Sequence, residues 1–104
     1  MTRSVTIERQ CRRLAAELNA AADTLNQIGR SDESLPLADR AAKLAPYDAD
    51  VLDTQANALF QLGRVAEAVD VQTAAVSFMD EDERDAGILQ RLELYKSKAQ
   101  SSFP

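Results

Sequence analysis

Residues 15–29, AAELNAAADTLNQIG, and residues 49–63, ADVLDTQANALFQLG, are two copies of one pattern set 34 positions apart. Ala15, Leu18, Ala22 and Leu25 fall on Ala49, Leu52, Ala56 and Leu59. Gln27, Gly29 and Arg30 then fall on Gln61, Gly63 and Arg64. The match continues past the glycines, with Glu33 on Glu67, Ala41 on Ala75 and Asp48 on Asp82. These are ten identities in 34 positions, where an Ala- and Leu-rich chain gives about three by chance. Ile28/Leu62, Leu35/Val69, Leu37/Val71 and Leu44/Phe78 are conservative exchanges. A period in the range of 20–50 residues is the mark of a stacked-repeat architecture.

Each unit reads as a helical hairpin. In the second, Asp48 or Asp50 caps a helix whose Leu52, Ala56, Leu59 and Leu62 follow the 3.6-residue period. Gly63 supplies the left-handed residue that ends it. A second helix follows, turning Val65, Val69, Val71, Ala75, Val76 and Phe78 toward its neighbours. Ala56 and Ala75 are expected where the two helices cross, because small side chains let backbones approach. In the first unit Pro36 lies early in the second helix, so that helix is expected to begin late, near Leu35, with Ser34 as its N-cap.

These features resemble the tetratricopeptide repeat. They are Leu52, Ala56, Leu59, Gly63, Ala68 and Ala75 in unit two, with Leu18, Ala22, Leu25, Gly29, Ala41 and the closing Pro46 in unit one. The pattern departs from the family where Leu18 and Leu52 replace a large aromatic, where Ala22 and Ala56 replace a frequent Gly, and where Ser34 replaces the packing Ala. Asp80 stands where unit two should close with Pro. The resemblance covers residues 15–82 and implies an all-α chain of antiparallel helical hairpins in a right-handed α-α superhelix. About five helices are expected, near 5–28, 35–45, 49–62, 65–79 and 82–99. As one helical repeat domain the chain divides into an extension (1–14), repeat 1 (15–48), repeat 2 (49–82), a capping helix (83–99) and a tail (100–104).

The ends of a hairpin stack need atypical elements, because each terminal unit leaves one face uncovered. At the C-terminal end Asp80, Glu81, Asp82 and Glu83 form an Asp-x-x-Glu capping pattern, placing acids at the positive end of a helix. Its Ile88, Leu89, Leu92, Tyr95 and Ala99 form one stripe for the second hairpin. At the other end Ile7, Cys11, Leu14, Leu18, Ala21, Leu25 and Ile28 recur at heptad spacing. A helix from Val5 to Ile28 runs ~36 Å, longer than a hairpin needs. Either the second or the last helix covers the projecting Ile7, Cys11 and Leu14, or a partner helix or second copy does. Ile7, Cys11, Leu14 and Leu18 are therefore candidates for an oligomer seam.

Composition narrows the chemistry. The 104 residues include no His, no Trp and one Cys, which leaves no Ser-His-Asp triad, Cys-His pair or Cys/His metal set. The net charge is −5, unlike that of a nucleic-acid binder with its basic face. It is unevenly spread: residues 1–14 carry +3 and residues 15–104 carry −8. Between Pro46 and Glu83 the sole basic residue, Arg64, faces nine acids. A lone Cys11 forms no internal disulfide and reads as a small hydrophobe in a seam. No signal peptide and no run of eighteen apolar residues is present, so a cytoplasmic protein without membrane contact is expected.

The resemblance also implies a groove lined by the first helix of each hairpin. Carried over, that face comprises Asn19, Asp23, Asn26 and Gln27 from unit one. Unit two gives Asp50, Asp53, Asn57 and Gln61, with Phe60 as its apolar contact. Amides offer donor and acceptor together to a peptide backbone. Asp53 stands where the family's carboxylate clamp needs Lys, which disfavours a chaperone-tail ligand and favours a basic or polar peptide. Tyr47 reads as packing between hairpins. The expectation is a protein-binding adaptor without catalytic residues, metal or cofactor. The alternative is a structural homo-oligomer built on the N-terminal seam.

Overall fold

Gly29 and Gly63 take φ of +77° and +82°, the left-handed region that a Cβ disfavours. Around them the backbone closes two equivalent turns. Gly29 N donates to Asn26 O at 3.1 Å and Arg30 N to Leu25 O at 2.8 Å; Gly63 N donates to Phe60 O at 3.0 Å and Arg64 N to Leu59 O at 2.9 Å. This is the Schellman pattern, which satisfies the last carbonyls of a helix and reverses the chain. Arg30 then pairs with Glu33, and Arg64 with Glu67 at 2.7 Å. Each pair sets an acid in the first turn of the helix that follows, beside its positive end. The Gly, Arg and Glu identities of the 34-residue repeat thus encode one turn used twice.

The computed structural model describes residues 2–80 and 85–101. The described residues are all-helical, with five helices: α1 (Thr2–Gln27), α2 (Ser31–Leu44), α3 (Ala49–Gln61), α4 (Val65–Ser77) and α5 (Ala86–Ser101). Three-residue connections make α1/α2 and α3/α4 antiparallel hairpins. Helix α3 also packs on α1 and α2, and α5 packs on α4. The molecule is a slab of 56 × 32 × 18 Å, its long axis stretched by an α1 of about 39 Å.

Alanines hold the hairpins close. Ala22, Ala38, Ala41, Ala56, Ala68 and Ala75 are all wholly buried. Ala56 packs with Ala68, Leu59 and Tyr95, whereas Ala75 packs with Leu52 and Ile88. The two alanines expected at one crossing therefore occupy two neighbouring clusters. The α5 stripe lands as expected, with Ile88, Leu92 and Tyr95 buried and Leu89 and Ala99 half-buried.

Helix α2 begins at Ser31, not near Leu35. Ser34 is no cap: it is fully buried and donates its Oγ to the Ala22 carbonyl at 2.9 Å. It occupies the close-packed place that Ala68 fills in the other hairpin, and its hydroxyl is satisfied by the helix it touches. Pro36 sits in the second turn and forgoes the N–H bond to Asp32, whose residue is exposed to water. Helix α3 is capped as expected, by Asp48 Oδ1 accepting from Asp50 N (3.0 Å) and Val51 N (3.3 Å). Helix α5 starts at Ala86 after Asp85, whose Oδ1 accepts from Gly87 N at 2.7 Å, rather than at Asp82. Glu81, Asp82 and Glu83, three acids of the expected capping pattern, lie outside the described residues.

Candidate interaction surface

The nine residues carried over to a groove divide into ties and surface. Asn26 is a tie, 3 % exposed. Its Nδ2 donates to the Thr54 carbonyl at 3.1 Å, and its Oδ1 accepts from Ser31 Oγ at 3.1 Å. Ser31 also bonds the Gln61 amide oxygen, and Gln61 Nε2 donates to Asn57 Oδ1 at 3.1 Å. One polar chain thus runs through α1, α2 and α3 and fixes the second hairpin on the first.

Asp53 is a tie of a different kind. Arg91 grips it in a fork, Nε to Oδ1 and Nη2 to Oδ2, each at 2.7 Å. Gln72 Nε2, wholly buried, donates to the same Oδ1 at 2.7 Å and to the Ile88 carbonyl at 3.0 Å. The Asp53 side chain retains 18 % exposure, and the pair joins α3 to α5. The hydrogen bond to Asp53 raises the Arg91 pKa against the opposing effect of burial. Phe60 stacks on Tyr95 with ring centroids 4.6 Å apart. One face of its ring is thus covered by α5, and the residue as a whole is half-buried. The Tyr95 hydroxyl is buried without a hydrogen bond, and burial with the Asp53 charge pushes its pKa up to about 12.

What remains in reach of solvent is Asp23, Gln27, Asp50, Asn57 and Gln61, with Asn19 at the margin. Gln27 Nε2 donates to Asp23 Oδ2 at 3.0 Å, as Gln61 does to Asn57 one repeat later. The two pairs occupy equivalent positions on α1 and α3. Asn19 is half-buried, and its Oδ1 accepts no hydrogen bond. Asp50 is exposed beside a depression of about 210 Å³ that it lines with Phe78, Met79, Asp80 and Asp85, among others. Its pKa is raised, first by partial burial and then by Asp48, Asp53 and Asp85.

The N-terminal seam splits into two rows. Cys11, Leu18 and Leu25 are half-buried and lean toward the stack, whereas Ile7, Leu14 and Ile28 are 57, 42 and 60 % exposed. Neither α2 nor α5 covers the outward row, although Leu44 at the end of α2 reaches the rim of a depression lined by Ile7 and Cys11. Tyr47, in the connection between the hairpins, packs edge-on against Phe78 of the second hairpin at 5.1 Å and leaves 75 % of its surface exposed.

Sequence reading missed the buried polar set Asn26, Ser31, Thr54 and Gln72, and the role of Arg91. One signal was available: Gln72 lies three and four residues from Val69, Ala68, Ala75 and Val76, on the apolar face of its helix, and a polar residue on a buried helix face requires partners. No helix among the described residues is long and apolar enough to cross a membrane.

No protein-family model matches this chain, and no curated protein matches it. The class that the architecture defines is therefore a stack of two helical hairpins closed by a fifth helix. Its likeness to tetratricopeptide repeats rests on the period and on the residues that carry it.

Proposed function

We propose that the chain is a non-catalytic protein–protein interaction module, an adaptor of tetratricopeptide type acting in the cytoplasm. It takes a basic or polar peptide, or a partner helix, along the face shared by α1 and α3. The observation that carries this reading is the repetition of one surface device. Gln27 with Asp23, and Gln61 with Asn57, present the same i, i−4 pair at equivalent places on successive hairpins. A ligand laid along this face meets on each hairpin a Gln amide bonded to an acceptor four residues earlier, a carboxylate on the first and an amide on the second. Asp23 and Asp50 make the face acidic, and none of the groove positions is basic, which selects a basic ligand over an acidic one.

The test is an affinity purification with the wild-type chain and an Asp23→Lys/Asn57→Lys variant, read by quantitative mass spectrometry. A partner recovered by the wild type should fall at least ~10-fold with the variant, while circular dichroism shows the variant still helical and folded at the assay temperature. Equal recovery by both removes this face from consideration.

A second reading, a homo-oligomer or assembly subunit, is favoured by one specific observation. The outward row of α1 holds three large aliphatic side chains, each more than two-fifths exposed.

A further inference from the structure

The repeat itself tells what the outward face of α1 is for. Helix α3 turns the equivalent face to the first hairpin. Val51 and Ala58 are buried there, and Gln55 Nε2 between them donates to Asp39 of α2 at 2.9 Å. On α1 the positions of Val51 and Ala58 hold Glu17 and Thr24, both exposed. Glu17 is paired with Arg13 at 3.3 Å. The first hairpin has therefore lost the broad apolar face on which a preceding hairpin would lie. It keeps a narrower row, Ile7, Leu14, Ala21 and Ile28, seven residues apart and all exposed. Such a row is the width of a single helix–helix seam. It continues past the end of α1, since Ile28 N still donates to the Thr24 carbonyl.

We propose that this row is the contact of an antiparallel, two-fold symmetric pair of α1 helices from two copies of the chain. The proposal rests on the assembly reading above and specifies its partner and orientation. Two features choose this occupant. The first is charge. Residues 1–14 carry +3, whereas residues 15–29 carry only Glu17 and Asp23. An antiparallel pair with Ile7 opposite Ile28 lays the basic half of each helix along residues 21–28 of the other, where the one charge is Asp23, opposite Arg12. A parallel pair sets +3 against +3, and like charges brought together oppose association. The second is shape. Antiparallel pairing with Ile7 opposite Ile28 sets Leu14 opposite Ala21 twice, a large side chain facing a small one. Parallel pairing sets Leu14 against Leu14 and Ala21 against Ala21, leaving a gap at the second. The row spans about 31 Å of helix, enough for six turns in contact. Because the interface is isologous it closes at two copies.

Orientation and association are tested together. Sedimentation velocity from ~5 to ~200 μM should show a species of twice the 11.4 kDa chain mass, and Leu14→Glu should return it to one. Circular dichroism should be unchanged in that variant, because Leu14 is already 42 % exposed. In a Cys11→Ser background, Leu14→Cys and Ala21→Cys chains are prepared separately, then oxidised alone and mixed. The mixture should form a disulfide-linked dimer several-fold faster than either alone. A monomer at every concentration overturns the seam and the homo-oligomer reading together; a dimer indifferent to Leu14→Glu overturns the seam and leaves the homo-oligomer reading standing. A dimer in which Leu14→Cys cross-links with itself as fast as with Ala21→Cys overturns only the antiparallel arrangement. Neither result bears on the face formed by α1 and α3.

Discussion

Asp53 joins three helices through its side chain, because it accepts from Arg91 of α5 and from the buried Gln72 of α4 at once. Asp53→Ala leaves Gln72 with one of its two Nε2 contacts and Arg91 with none of its fork. The pair is neither fully buried nor free in water, so the cost should fall between the two limits, about 2 kcal/mol. Urea unfolding of the wild type and variant measures it. Tyr95→Phe makes the opposite case: it deletes a buried hydroxyl that has no partner and keeps the ring stacked on Phe60. Its stability should be unchanged or higher, by up to about 1 kcal/mol. The residue scale is also where sequence reading was least complete. Asn26, Asp53 and Phe60 have the residue types a groove would use, and types cannot reveal that a neighbour has already taken their hydrogen bonds or ring face. That information lies in contacts 28 and 38 positions away in the chain.

Elements were far more legible, because a helix is specified by neighbours within a few positions. The glycine turns, the Asp48 cap and the α5 stripe follow from local pattern, whereas the separate partners of Ala56 and Ala75 do not. The start of α2 did not, since proline was given more weight there than the helix gives it. What decides that start is the turn at Gly29, which hands Arg30 directly into a helix, and Ser34, whose small side chain is needed four residues later at the contact with Ala22. Two substitutions test this account by thermal unfolding. Gly63→Ala should cost about 1–2 kcal/mol, the price of a Cβ at φ +82°, although nothing lies within 4 Å to obstruct that Cβ. Pro36→Ala should stabilise, by less than the ~3 kcal/mol that proline costs in a helix interior, because Pro36 stands in the second turn and Asp32, whose carbonyl lacks the bond, is an exposed residue.

At the scale of the whole molecule, carboxylates gather where α3 begins: Asp50, Asp80 and Asp85 line one depression, and Asp48 caps α3 beside it. Asp50 feels this most: burial and neighbouring carboxylates raise its pKa above 3.8. A raised carboxyl pKa means that the folded chain holds a proton the unfolded chain has released. Stability is therefore lost as pH rises from about 3.8 through the folded value, and the penalty is fully present at neutral pH. Asp50→Asn should raise the melting temperature at pH 7, and the gain should shrink as pH falls through that window. Asp50 is exposed, so added salt should reduce the gain as well. A gain that is constant from pH 3 to pH 7 would assign the effect to helix propensity instead.

The same layout has a consequence for how the chain comes apart. Helix α5 packs on α4 and is held to α3 by the Asp53–Arg91 fork, the Phe60–Tyr95 stack and the clusters of Ile88 and Tyr95 with Leu52, Ala56 and Leu59, while α3 also packs on the first hairpin. Unravelling from the C-terminal end exposes one helix at a time, whereas nothing short of splitting the two hairpins frees α3. Amide protons of α5 are thus exchanged through a shallow, local opening, and those of α3 through the deepest one available. A protease that trims the last helix leaves behind a stack with its second face newly bare, the same predicament in which α1 stands at the other end.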